Sequence, residues 1–400
     1  MPSSSTILPL EIEETILNLL SDEALKTCSL VCQAFLPTCR KHIFGSIVLN
    51  GYGASGSAVA FERLLRETPE IADYIRKLDY TFETADLISP SIQESLKRIS
   101  RLEFFTLRKL NWRYNLNSIR PALLHLLHLT TLTHFEAVRV NRFLLSDLIP
   151  CINLKYLNFS YSNVASENSF SSTFPEHSIH LNEFVGNTTS ATMKLYTARR
   201  PDGKPIIDFG SLHKITVDIE GPNENKALQE LFRHCNFLTY VDISCKRYLH
   251  CHHQDFNGSL PLVWDPHHVR PILADMLRPS MLTLKHIILH IYVDEDVDLL
   301  IDIPSEFEDM RTNVIETVAI RIMVQTDAGY CREDWGRLDK VFTAPGWFSL
   351  KRVSLVLEID SSDNASEVTF RNTLDPETQF PRLSSSNSVS FDFKVNPGLA

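Results

Sequence analysis

Two periodicities follow one another along this chain. Over the first fifty residues, apolar positions recur at helical spacing. Leu8 and Pro9 precede acids at 11, 13 and 14, and a Pro in the first turn with carboxylates near the positive end of the dipole marks a helix start. The spacing predicts a helix from about Pro9 to Leu20. Ile12, Ile16, Leu19 and Leu20 form one apolar stripe on it, and Leu10 and Leu17 a second. Ser21 and Asp22 are N-cap residues for a second short helix. Ser29 opens a third, SLVCQAF, which Pro37 ends by pushing Leu36 away from helical angles. A unit of roughly 40 residues cannot bury both stripes, so surplus apolar surface is expected to meet a partner or a neighbouring domain.

From Phe44 the pattern becomes apolar-x-x-apolar-x-apolar. It recurs at Phe44, Ile75, Leu102, Leu132, Leu154, Leu181, Leu212, Leu238, Leu284, Ile315 and Leu350, with LKYLNF, LHKITV, LTYVDI, LKHIIL, IETVAI and LKRVSL its clearest copies. Ala137 and Gly186 stand where the last apolar residue of their copies should be. Alternation within each copy predicts a strand. Stretches such as SAVAFERLLRETPE, SPSIQESLKRIS, NSIRPALLHLLHLT, ENKALQELFRHC and DWGRLDKVF carry helical periodicity between the copies, so strand and helix alternate. Copies start 22 to 46 residues apart. Stacked units of that kind make a right-handed solenoid with a parallel sheet on the concave side and helices outside. A compact α/β domain with one mixed sheet also accommodates so uneven a period.

Side chains alternate across a strand, so residues between the buried positions face outward. That rule assembles Tyr156, Asn158, Lys214, Thr216, Tyr240, Asp242, His286, His290, Arg321, Arg352 and Glu358 as the candidate substrate-contact face. Its aromatic and Arg members are the expected anchors.

The segment LPLEIEETILNLLSDEALKTCSLVCQAFLPTCRKHIF, about a tenth of the chain, resembles the F-box: Leu-Pro, an acidic apolar helix, a short polar break, then a Leu-Val-Cys helix. Phe35 stands where many members of that family carry Trp. The repeats resemble the irregular leucine-rich repeats of F-box proteins, although no copy has the full L-x-x-L-x-L-x-x-N-x-L signature and only Asn163 after Phe159 comes near it. The resemblance implies an α/β chain made of a short three-helix F-box and a leucine-rich-repeat-like solenoid. Its expected boundaries are a disordered 1–7, the F-box at 8–44, the substrate-binding repeats at 45–360 and a polar cap or tail at 361–400 containing one late strand candidate, VSFDF. It implies that Leu8, Pro9, Ile12, Ile16, Leu30, Val31 and Phe35 face a Skp adaptor. Through that adaptor the chain would reach a cullin, with the repeats holding a protein substrate for ubiquitination. A cut near Arg40 should then separate recruitment from recognition. Two alternatives stay open: the helices are only the core of an N-terminal cap, or the chain is an interaction scaffold whose F-box works outside a ligase.

Composition removes other classes. A net charge of −10 and a pI near 5.8 argue against nucleic acid as a main partner. Glu11, Glu13 and Glu14 interrupt the N-terminal apolar stretch, and no uncharged apolar run reaches spanning length, so neither a signal peptide nor membrane association is expected. Eight scattered Cys suit a reducing compartment, cytoplasmic and/or nuclear. No G-x-S-x-G, Walker, G-x-G-x-x-G or H-E-x-x-H motif occurs, so no catalytic residue, no cofactor and no enzyme activity are expected. The tract with Cys245, His250, Cys251, His252 and His253 lacks finger spacing and reads as a solvated insertion without metal. Residues 294–310 carry eight carboxylates and read as a solvated loop.

Overall fold

A computed structural model describes residues 10–31, 33, 35–50, 56–82, 90–112, 119–165, 177–187, 189–200, 202–219, 228–245, 273–293, 303–324, 335–359 and 375–397. The chain divides into two compact units, Met1–Ile179 and His180–Ala400.

The first unit opens with helices α1 (Leu10–Asn18), α2 (Asp22–Val31) and α3 (Leu36–Phe44). Ser21 caps α2, its hydroxyl accepting the Ala24 N–H at 3.4 Å, and Asp22 and Glu23 occupy the first turn. The third helix differs from expectation. Ser29, Leu30 and Val31 continue α2, and Pro37 lies in the first turn of α3 instead of ending a helix. Pro lacks only an N–H that a first turn leaves unpaired, so a helix start is its natural place. Leu17, Leu25 and Cys39 form the buried centre of the three helices, with Leu20, Cys28, Phe35 and Ile43 packed around it.

Five parallel strands follow in chain order: β1 (Ser46–Asn50), β2 (Lys77–Thr81), β3 (Phe104–Arg108), β4 (His134–Val138) and β5 (Tyr156–Ser160). Helices Ser57–Glu67, Pro90–Lys97 and Arg120–Leu127 lie between them in sequence. The register stacks Leu78, Phe105, Phe135 and Leu157 in one buried column and Tyr80, Leu107, Ala137 and Phe159 in the next.

The second unit repeats the scheme with β6 (Glu183–Gly186), β7 (Lys214–Ile219), β8 (Tyr240–Cys245), β9 (His286–Val293), β10 (Thr317–Val324), β11 (Arg352–Ile359) and β12 (Ser390–Pro397), again parallel and in chain order. Its intervening helices include Thr189–Thr197, Leu273–Leu277, Ile303–Asp309 and Trp335–Phe342. All eleven apolar starts read from the sequence lie two residues before a strand. The long strands pair in parallel throughout, which removes the mixed-sheet alternative. The late strand candidate VSFDF overlaps the start of the last strand. Residues 390–397 add the strand β12, and its Phe391 and Phe393 rings lie 5.2 and 5.6 Å from Phe380, which is buried.

Candidate interaction surfaces

Three helices of nine or ten residues enclose few side chains, and the surplus is visible. Ile12 and Ile16 on α1 and Leu19 immediately after it, spaced i, i+4 and i+7, are 47%, 46% and 83% exposed. Leu30 and Val31, at the end of α2, are 88% and 78% exposed. Isolated exposed apolar residues are ordinary, but five within so small a helical module are the kind of surface that partners cover. The Lys41 ammonium meets the Glu14 carboxylate at 3.1 Å, tying α3 to α1. Of the residues expected to face an adaptor, Ile12, Ile16, Leu30 and Val31 are exposed. Phe35 is half-buried against the helical core. Leu8 and Pro9 lie outside the described residues.

On the sheets, one set of alternate residues is buried and the other faces away. In the first unit Tyr156 and Asn158 belong to that outward set. Tyr156 ends an aromatic row in which His134 stacks on Phe104 at 4.1 Å and on Tyr156 at 5.5 Å. Arg108 donates from Nε to both Asp79 oxygens at 3.0 and 3.1 Å, and that bonding raises the Arg108 pKa.

In the second unit Lys214, Tyr240, His286 and Arg352 share one register row, with Thr317 between the last two. Thr216 and Asp242 share the next, and His290 and Arg321 the one after; Glu358 stands one row beyond. The nine residues therefore occupy one face. Lys214 pairs with Glu183 at 2.6 Å and lies over the Tyr240 ring at 5.1 Å. His290 and Asp242 are 3.2 Å apart, and Asp392 lies 3.6 Å from Arg352 and 3.0 Å from Lys394. Burial, then the neighbouring Asp242, raises the Tyr240 phenol above its ordinary value. Sequence reasoning missed Asp79, Phe104, Arg108, His134, Glu183, Asp392 and Lys394, although the same alternation rule locates them.

A cavity of about 30 Å³ in the second unit is lined by Ile219, Ile243, Cys245, Met276, Leu289 and Glu306 among others, room for a water and no more. Burial pushes the Cys245 thiol up to about 12, opposite to the low value of a reactive thiol. No group of three metal-ligating side chains occurs among the described residues, and none of their helices is long and apolar enough to cross a membrane. His250, Cys251, His252 and His253 lie outside the described residues, as do 294–302 of the acidic run. The rest of that run differs from a solvated loop: Ile303–Asp309 is a helix, and the Glu306 carboxylate accepts the Ala274 N–H at 2.9 Å. No protein-family model matches this chain, and no curated protein matches it.

Proposed function

We propose that this protein is a substrate-recognition subunit of a Skp-cullin-F-box ubiquitin ligase, with the three N-terminal helices docking on the Skp adaptor and the strand-helix units, stacked as a right-handed solenoid, holding a protein substrate. The observation that carries the reading is the exposure of Ile12, Ile16, Leu30 and Val31 on helices whose own centre is complete without them. Side chains left bare by a finished core, in a segment that resembles an F-box, have docking as their physical use. The outward sheet faces, with aromatic and Arg residues set among ion pairs, suit a polar protein surface. The chain itself then performs no bond chemistry. It raises the effective concentration of substrate lysines near a ubiquitin thioester carried by another protein.

Copurification tests the reading. The full chain should recover a Skp adaptor and a cullin, and Ile16→Lys combined with Leu30→Lys should abolish recovery at an unchanged melting temperature. Each lost anchor removes about 2 kcal/mol or more of binding, while changes at exposed positions alter folding by roughly 0.5 kcal/mol. Adaptor without cullin would favour a scaffold working outside a ligase. Undiminished recovery by the double variant would refute the docking assignment.

A further inference from the structure

The C-terminal ends of three neighbouring strands in the first unit share an unusual backbone. Lys109, Arg139 and Tyr161, each the residue immediately after β3, β4 or β5, have φ of 57°, 56° and 53°. This is the left-handed region, which glycine or asparagine enters far more cheaply than a long side chain. Arg142, three residues beyond Arg139, is left-handed as well, at 57°. All four side chains are exposed.

The strained residues form a column. The Lys109 N–H donates to the Val138 carbonyl and the Arg139 N–H to the Ser160 carbonyl, both at 2.9 Å, so the parallel ladder continues one rung past each strand and sets successive residues roughly 5 Å apart. The corner is held firmly. The Asn163 amide donates to Asn141 at 3.0 Å, its carbonyl accepts the Arg142 N–H at 2.6 Å, and the buried Ser162 hydroxyl accepts the Val140 N–H at 2.9 Å. Two carboxylates on these strands have partners of their own, Asp79 with Arg108 and Glu136 with Thr106 at 3.3 Å.

We propose that Lys109, Arg139, Arg142 and Tyr161 form a docking edge for an acidic, Asp- or Glu-rich stretch of a partner protein lying across the strand ends. Folding alone is served better by glycine at Lys109 and Arg139, yet the chain carries an exposed cation at each, which points to a use outside the fold. They concentrate positive charge on one edge of a chain whose net charge is −10, which is the complementarity an acidic segment reads. Charges spread along a column, rather than gathered around one point, match a run of carboxylates better than a single phosphate. The inference deepens the adaptor reading by naming a class of substrate segment, and it rests on that reading only for the identity of the partner as substrate.

Fluorescence anisotropy on the full chain tests it with a labelled peptide of alternating Glu and Ser, a Gln-Ser control, and a Gln-based peptide bearing one phosphoserine. The Glu peptide should bind, with affinity falling as salt rises, and the controls should not. Lys109→Gly with Arg139→Gly should weaken binding roughly tenfold or more while the denaturation midpoint holds or rises, because glycine relieves the backbone. Lys155→Gln, an exposed charge elsewhere in the unit, should leave binding intact. Glu-peptide binding that survives the double glycine variant, or binding of the phosphoserine peptide alone, would overturn the proposal. Adaptor copurification is scored separately: a chain that recovers the adaptor yet ignores the Glu peptide loses this inference and keeps its proposed function.

Discussion

Gly186 and Ala137 look like defects in the repeat pattern, and the packing explains at least the glycine. A Cβ on Gly186 would come within 2.8 and 2.9 Å of the Phe184 ring and would collide with the Thr192 hydroxyl. The Phe184 ring is itself held edge-on by Phe209 at 5.3 Å, so it cannot swing away without disturbing a second aromatic. Gly186→Ala should therefore destabilise by about 1–3 kcal/mol, the usual cost of overpacking, read as a lower urea midpoint at unchanged slope. An unshifted midpoint would mean that the ring moves freely and that glycine is there by chance. Other single-residue features were invisible in one dimension. Trp112 donates to Asp147 at 2.7 Å and Arg120 reaches the same carboxylate at 2.9 Å. This knot joins residues up to 35 positions apart, and no local pattern announces a partner at that distance.

At the level of elements, strands were read better than helices because the two signals differ in kind. Each strand carries its own alternation and buries the same columns as its neighbours, so eleven imperfect copies reinforce one another. Pro37 starts a helix instead of ending one because the residue before a proline is disfavoured in a helix but not forbidden there, and the first turn of a helix needs no N–H at the proline. The acidic run departs from a solvated loop because one of its members acts through a distant element. Glu306 accepts backbone N–H groups at the start of Leu273–Leu277, and burial, the largest influence, raises its pKa. A carboxyl group raised on folding binds more protons in the folded chain. Its favourable contribution is complete below the unfolded value near 4.5 and is lost as pH rises through the folded value. Glu306→Gln keeps an oxygen for Ala274 without the buried charge. The stability difference between variant and parent should thus be smallest in acid and increasingly favour the variant towards neutral pH. Urea titrations at several pH values measure it, and a difference that does not change with pH would exclude an ionised, desolvated Glu306.

For the whole molecule, the order of strands was legible and the places where the chain can be cut were not. Strand order follows from alternating strand and helix signals, whereas a safe cut depends on which residues tie the helices to the first strands. A cut near Arg40 falls inside α3. It would also remove the ordered turns before an arginine that pairs with Glu70 at 3.3 Å. A chain starting at Leu36 keeps α3, the Gly45 carbonyl that accepts both the Arg76 and Lys77 N–H groups at 2.9 Å, and all of β1 beside β2. It sacrifices Leu17 and Leu25 and so uncovers Cys39, a loss limited to the small helical centre. A chain starting at Gly51 loses β1 as well, leaving the backbone edge of β2 unpaired and stripping Leu49 and Ile47 from the groove they line with Phe61 and Leu64. Unpaired strand edges with apolar flanks aggregate. The Leu36 chain is thus expected to melt cooperatively, stay monomeric by light scattering and keep its binding to the Glu-Ser peptide while losing the adaptor. The Gly51 chain is expected to scatter light before it melts. Collapse of both would show that α1 and α2 stabilise the strands beyond the contacts named here, making recruitment and recognition a single folding unit. Retention of the adaptor by the Leu36 chain would instead remove the exposed residues of α1 and α2 from the docking surface.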